Sequence, residues 1–201
     1  KATMTKKPTV HRAFWTMSHG TGATDAGAKG SENPVLAGWW SRTGTPRTRK
    51  EVHWFMTTLD RRIAPWLPDR GGCQKIIGPL EMLATHILTR LVRTNGLQGP
   101  TTGTGTLLDI HTDNQGNAYN LLDGRVRHSA KKQGLAPLIL LEMVDQEHEH
   151  ALGTSINHVH REFNKWADDL TNGLTSSFSP DLRLHLDLEH QPLDQHLDLE
   201  R

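Results

Sequence analysis

TDNQGNAYNLL at Thr112–Leu122 and HVHREFNKWADDL at His158–Leu170 bracket the stretch on which the fold turns. The first follows TGTLLDIHT at Thr104–Thr112, a β-compatible run. That places Asp113 at a strand end, in an Asp-Asn-Gln-Gly cluster whose side chains favour a turn. The second begins on a short candidate strand, Ser155–Val159, and passes into Asn164–Leu170, a predicted helix capped by Asn164. Between them Leu135–Val144 (LAPLILLEMV) is apolar and predicted helical after Pro137.

Upstream, Pro34–Trp40 (PVLAGWW) and Val52–Leu59 (VHWFMTTL) are β-prone runs joined by the polar connection SRTGTPRTRK. After Gly71-Gly72, apolar residues at Leu80, Leu83, Ala84, Ile87, Leu88 and Leu91 recur at helical spacing. Pro79 suits a first helical position, because its missing N–H is not needed there. Glu81 then falls in the first turn, where the helix dipole favours a carboxylate. The order strand, strand, strand, helix, strand, helix, strand, helix predicts an α/β fold with helices on a mixed sheet.

The chain has 201 residues, enough for one domain with extensions. Its 23 basic and 22 acidic side chains nearly cancel, so bulk charge alone does not indicate a nucleic-acid binder. The placement is uneven. Lys1, Lys6, Lys7 and Arg12 precede the first acid, Asp25, and Arg42, Arg47, Arg49 and Lys50 form a second basic run. Arg125, Arg127, Lys131 and Lys132 suit either a phosphate track or a solvated loop. One cysteine, Cys73, permits no intrachain disulfide and fits a reducing, intracellular compartment: nucleus, cytoplasm or an organelle. No apolar run approaches the length of a membrane span. The expected organisation is a basic arm over 1–20, a domain over 21–172 and a leucine- and histidine-rich tail over 173–201. The tail holds HLDLE twice, at His185–Glu189 and His196–Glu200, and is a candidate docking segment for a protein partner.

Asp25, Glu81, Asp113 and Asp168 all stand near the ends of predicted elements. Clustered carboxylates raise one another's pKa and call for cations. Magnesium, which prefers oxygen ligands, answers that need, with manganese as the substitute. Two such ions activate a water and stabilise the leaving oxygen of a phosphodiester. Taken singly, each acid is also explained by surface solvation or a helix start.

TDNQGNAYNLL resembles the fourth-strand motif of ribonuclease H domains, and HVHREFNKWADDL resembles their terminal motif. In the family a histidine lies ten positions before the last aspartate, as His158 does before Asp168. KIIGPLEMLATHI resembles the helix that carries the family's glutamate, and TDAGAKGSENPVLAGWW its opening strand and hairpin. The likeness extends over roughly residues 20–172 and is nearest to ribonuclease H-like regions of retroelement reverse transcriptases. It implies a mixed five-stranded sheet flanked by helices. Asp25, Glu81, Asp113 and Asp168 would be the catalytic carboxylates and the ligands of two magnesium ions. His158 would move a proton or release product. The implied reaction is hydrolysis of the RNA strand of an RNA·DNA hybrid, leaving a 3′-hydroxyl and a 5′-phosphate.

One feature departs from the family. Asp25 follows His-Gly-Thr-Gly-Ala-Thr where the family has branched apolar residues. Glycines weaken a strand interior, so an irregular first strand is expected. A second reading therefore stands beside the hydrolase. It is a catalytically inactive, retroelement-derived structural or accessory subunit of a larger assembly. Another nuclease or strand-transfer activity of the same superfamily, such as an exonuclease, is a third. The hydrolase requires the carboxylates to converge; Asp25 pointing elsewhere favours the accessory subunit. The pairs His148-x-His150 and His158-x-His160 lack evident third and fourth ligands, so zinc is not expected. Trp39, Trp40, Trp54, Trp66 and Trp166 are expected to pack rather than stack on bases.

Overall fold

The computed structural model describes residues 15–29, 33–68, 72–98, 105–123 and 135–186. The basic arm up to residue 14, the Arg125–Lys132 basic group and the second HLDLE copy lie outside the described residues. Five strands form one sheet: β1 (Trp15–Gly27), β2 (Val35–Ser41), β3 (His53–Thr58), β4 (Gly105–Thr112) and β5 (Leu152–His158). Among the described residues four α-helices accompany them: α1 (Ile77–Thr94), α2 (Gln115–Asp123), α3 (Leu135–His150) and α4 (Lys165–Thr171). The sheet order is β3-β2-β1-β4-β5. β2 pairs antiparallel with β1 and β3, while β4 runs parallel to β1 and β5. This is the α/β class with a mixed five-stranded, helix-flanked sheet, as the ribonuclease H-like resemblance implies.

The sheet separates two apolar cores. On one side α1 and α3 bury Leu80, Leu83, Ile87, Leu88 and Ile139 against Leu36, Trp40, Phe55, Leu108 and Ile110. On the other, α4 sets Ala167 and Leu170 against Ala23, Ala37, Trp39, Trp54 and Phe178. The expected packing role of Trp39, Trp40 and Trp54 holds, since all three are buried. The indole of Trp40 also donates to the Leu97 carbonyl at 3.1 Å.

The glycines of β1 are packing residues rather than a flaw. A Cβ on Gly20 would come within 2.4 Å of the Trp40 ring, and one on Gly22 within 2.5 Å of the Trp39 carbonyl. Their bare backbone is what lets Trp40 lie fully buried against the strand. The predicted irregularity is confined to the first half of β1, where the register against β4 shifts between Met17 and Thr21. From Thr21 onward the pairing is regular on both sides, up to Ala23↔His111 with β4 and Gly27↔Val35 with β2.

Several local expectations shift. α1 starts at Ile77, so Pro79 is its third residue and Glu81 its fifth, with no acid in the first turn. Asp-Asn-Gln-Gly does not end in a turn but opens α2, and the Asn114 side chain accepts the Asn117 N–H at 3.0 Å in the manner of a cap. α3 begins at Leu135, with Pro137 tolerated inside its first turn. Asn164 precedes α4 as expected but makes no capping bond with its side chain.

The ends of the domain also differ from the outline drawn from sequence. Trp15–Gly20, assigned to the arm, forms the start of β1. Part of the segment assigned to the tail, residues 178–186, packs along the edge strand β3. Phe178 lies 5.7 Å from Trp54 between ring centroids, and the Leu184 N–H donates to the Trp54 carbonyl at 2.7 Å. Leu184 is buried and Leu186 packs beside it in the core under α1, while Leu182, at the end of a 3-10 turn, packs against the opposite core with Phe178.

Candidate metal centre

Three elements deliver three carboxylates to one end of the sheet. β1 and β4 are adjacent and parallel, with Ala23 level with His111. Two residues further along each chain bring Asp25 and Asp113 side by side. α1 crosses beneath them and presents Glu81. Oxygens of Asp25, Glu81 and Asp113 lie within 4.8 Å of one another, close enough to share a cation. Asp168, on α4, lines the same cleft of about 450 Å³. The carboxylate ends of parallel strands are a common place for ligands, because the strand ends leave a crevice there.

Burial controls the charge state of this cluster. Asp25 is only 8% exposed. Its pKa is pushed from 3.8 to about 6, first by burial and then by the charge of Asp113, against the lowering effect of the Thr171 hydroxyl bond. Glu81 is pushed from 4.5 to about 8, again chiefly by burial. The Asn114 side-chain bond opposes that rise, and the charges of Asp25 and Asp113 add to it. Burial first, and the neighbouring carboxylates after it, favour the protonated forms of Asp25 and Glu81.

Neutral side chains hold the acids in place. Thr171 donates its hydroxyl to Asp25 at 3.0 Å. Asn117 donates to Glu81 at 3.2 Å and to the Gly78 carbonyl at 2.8 Å, tying α2 to the start of α1. Asn164 is buried and donates to the Thr24 carbonyl at 3.0 Å and to Asp113 at 3.2 Å. That accounts for its missing cap: its amide joins α4 to β1 and to the end of β4. None of these contacts was readable beforehand, although Asn164 and Asn117 sit inside the two quoted motifs.

Asp168 is placed differently from the other three. It accepts from Arg161 at 3.0 Å and from the Asn172 side chain at 3.3 Å. The Arg161 guanidinium also lines the cleft. Its charge is held by Asp168 first and by Asp113 and Asp25 beyond it. Asp169, next in sequence, turns away. It is buried and pairs with Arg49 and Lys165, which depress its pKa despite burial. Arg49 of the second basic run is thus a packing partner, lying 5.7 Å from Trp166 and 5.4 Å from Phe178. His158 is exposed at the end of β5, paired in register with Thr112, the residue before Asp113. It does not line the cleft, and its ring instead faces His160 at 6.0 Å.

No protein-family model matches the chain, and no curated protein sequence matches it. Among solved structures, the foamy viral protease-reverse transcriptase in complex with dsDNA aligns with 82% of this chain and 95% of that chain, at 11% sequence identity and a TM-score of 0.38. No described helix is long and apolar enough to cross a membrane.

Proposed function

We propose that the chain is a magnesium-dependent endonuclease that hydrolyses the RNA strand of RNA·DNA hybrids. The observation that carries this reading is the convergence of Asp25, Glu81 and Asp113 within 4.8 Å, in a cleft that Asp168 also lines. Asp25 pointing elsewhere would have favoured the accessory-subunit alternative; it converges with Glu81 and Asp113 instead.

The donor set fits hard divalent cations. All the acids offer oxygen, as magnesium and manganese prefer. The pKa values of Asp25 and Glu81 are raised first by burial, and the charge of Asp113 adds to the rise in both. Asp25, Glu81 and Asp113 would hold the ions, with Asp168 joining on release from Arg161. A divalent pair bound there supplies water activation and relief of charge on the leaving oxygen of a phosphodiester.

The chain's own residues do the positioning. Thr171 fixes Asp25, Asn117 fixes Glu81, and Asn164 fixes Asp113, so little reorganisation is needed before reaction. His158, exposed beside the strand end, is the proposed group for passing a proton to solvent or releasing product. The hybrid is read by shape, phosphates and 2′-hydroxyls rather than by base sequence.

The test is incubation of the chain with a labelled RNA strand annealed to DNA, in magnesium. The expected result is internal cleavage of the RNA, abolished by chelation and reduced at least about a hundredfold by Asp113→Asn, a loss in the range of single catalytic groups. Absence of cleavage by a folded sample contradicts the reading. Cleavage unaffected by Asp113→Asn contradicts the site.

A further inference from the structure

Between β5 and α4 the chain makes a short 3-10 turn, Arg161–Phe163. Its three residues have different surroundings. Arg161 reaches into the acidic cleft and bonds Asp168, yet its side chain remains 80% exposed. Phe163 is 73% exposed, a large ring with no core to enter. Asn164, directly after it, is buried and bonded to Thr24 and Asp113. The turn is therefore anchored to the carboxylate cluster at one end while it holds an apolar ring in solvent. Folding gives no reason for that ring, because exposing it contributes nothing to burial.

We infer that the Arg161–Phe163 turn is a grip for the nucleic-acid strand entering the cleft, with Arg161 taking a backbone phosphate and Phe163 packing on the adjoining sugar. The inference rests on the nuclease reading and adds to it the residues that hold the substrate. One observation beyond exposure supports a nucleic-acid occupant over a protein one. The turn is continuous with the cluster that would act on the phosphodiester, and Arg161 lines the same cleft as Asp25, Glu81 and Asp113. A guanidinium presents a planar fork suited to phosphate oxygens. In the absence of substrate Asp168 holds that fork. A divalent cation held at the cluster would compete with Arg161 for Asp168 and would leave the guanidinium available to the strand.

Binding separates this proposal from the nuclease reading. A fluorescent RNA·DNA hybrid is titrated with the full chain and followed by anisotropy, once in chelator and once with Asp113→Asn in magnesium. Phe163→Ala is expected to weaken binding about tenfold, as loss of one aromatic contact does, and Phe163→Tyr to restore it. Arg161→Ala is expected to weaken binding and to lower the slope of log affinity against log salt by about one. Arg161→Gln, which keeps the shape without the charge, should do the same. Both positions are exposed, so melting temperatures should stay at the parent value. If both alanine variants bind within twofold of the parent with an unchanged salt slope, the grip is wrong, even if cleavage is observed. If the parent binds the hybrid but does not cleave it, the nuclease reading falls and these binding ratios still decide the grip. If the parent binds no hybrid at all, both fall.

Discussion

The hydroxyls of Thr24 and Thr85 meet at 2.9 Å, buried between β1 and α1. Thr24 adjoins Asp25, and Thr85 stands one helical turn after Glu81, whose carbonyl it also bonds at 3.2 Å. This contact joins the strand that carries Asp25 to the helix that carries Glu81. Thr85→Val keeps the shape but leaves Thr24 without that partner in the core. Loss of stability by about 1–3 kcal/mol is expected from the unsatisfied hydroxyl. Denaturant unfolding measures it, and titration with manganese should show weaker binding than in the parent.

Acidity and metal binding should be linked. The pKa values of Asp25 and Glu81 are raised on folding, to about 6 and about 8. The folded chain thus holds more protons than the unfolded chain across this window. The sign follows: their contribution is fully present below about pH 4 and is lost as pH rises through about 6 and then about 8. Thermal melts of metal-free protein should therefore fall from pH 5 to pH 8.5. Magnesium should raise the melting temperature most at the alkaline end, where the ligands are free of protons. Glu81→Gln should flatten the upper part of the profile.

The adjacent acids Asp168 and Asp169 should separate cleanly. Asp169→Asn removes a buried partner of Arg49 and Lys165, so a stability loss of about 2–4 kcal/mol is expected, from the guanidinium left behind. Asp168→Asn loses an ion pair with the solvent-exposed Arg161 and perturbs a 3.3 Å bond from Asn172, together worth about 1 kcal/mol. It should melt like the parent and lose metal-dependent cleavage. Melting and cleavage on the same two samples check both halves.

Asn164 is expected to matter twice. Asn164→Ala removes bonds to the Thr24 carbonyl and to Asp113 and leaves the carbonyl without its donor. A loss of about 2 kcal/mol in stability is predicted. Asn164→Asp keeps the size but sets a fourth charge near Asp113, so it should lower metal-free stability most at alkaline pH. Unfolding at pH 6 and pH 8.5 tests this.

Much of the architecture was legible because it follows local periodicity. The apolar stripe of α1 and the β-prone runs that became β2, β3 and β4 lie within short windows. The acids were legible as ends of those elements. What local pattern could not carry is contact between distant segments. Gly20 and Gly22 weaken a strand when read alone, and only the ring of Trp40 explains them. The Thr171 bond to Asp25 joins residues 146 apart. The start of α2 was missed because Asn114 satisfies helix donors with the same side chain that favours a turn. The tail was misjudged because alternating leucines give no sign of the edge strand they will meet.

The measurement nearest the central claim uses a DNA duplex carrying a short internal run of ribonucleotides, labelled on that strand. Parent chain and Asp25→Asn are incubated with it in magnesium, and the products are sized and their ends identified. The account predicts cutting within the ribonucleotides by the parent, leaving a 3′-hydroxyl and a 5′-phosphate, with little or none by Asp25→Asn. Equal cutting by both, or digestion only from the ends of the duplex, contradicts it.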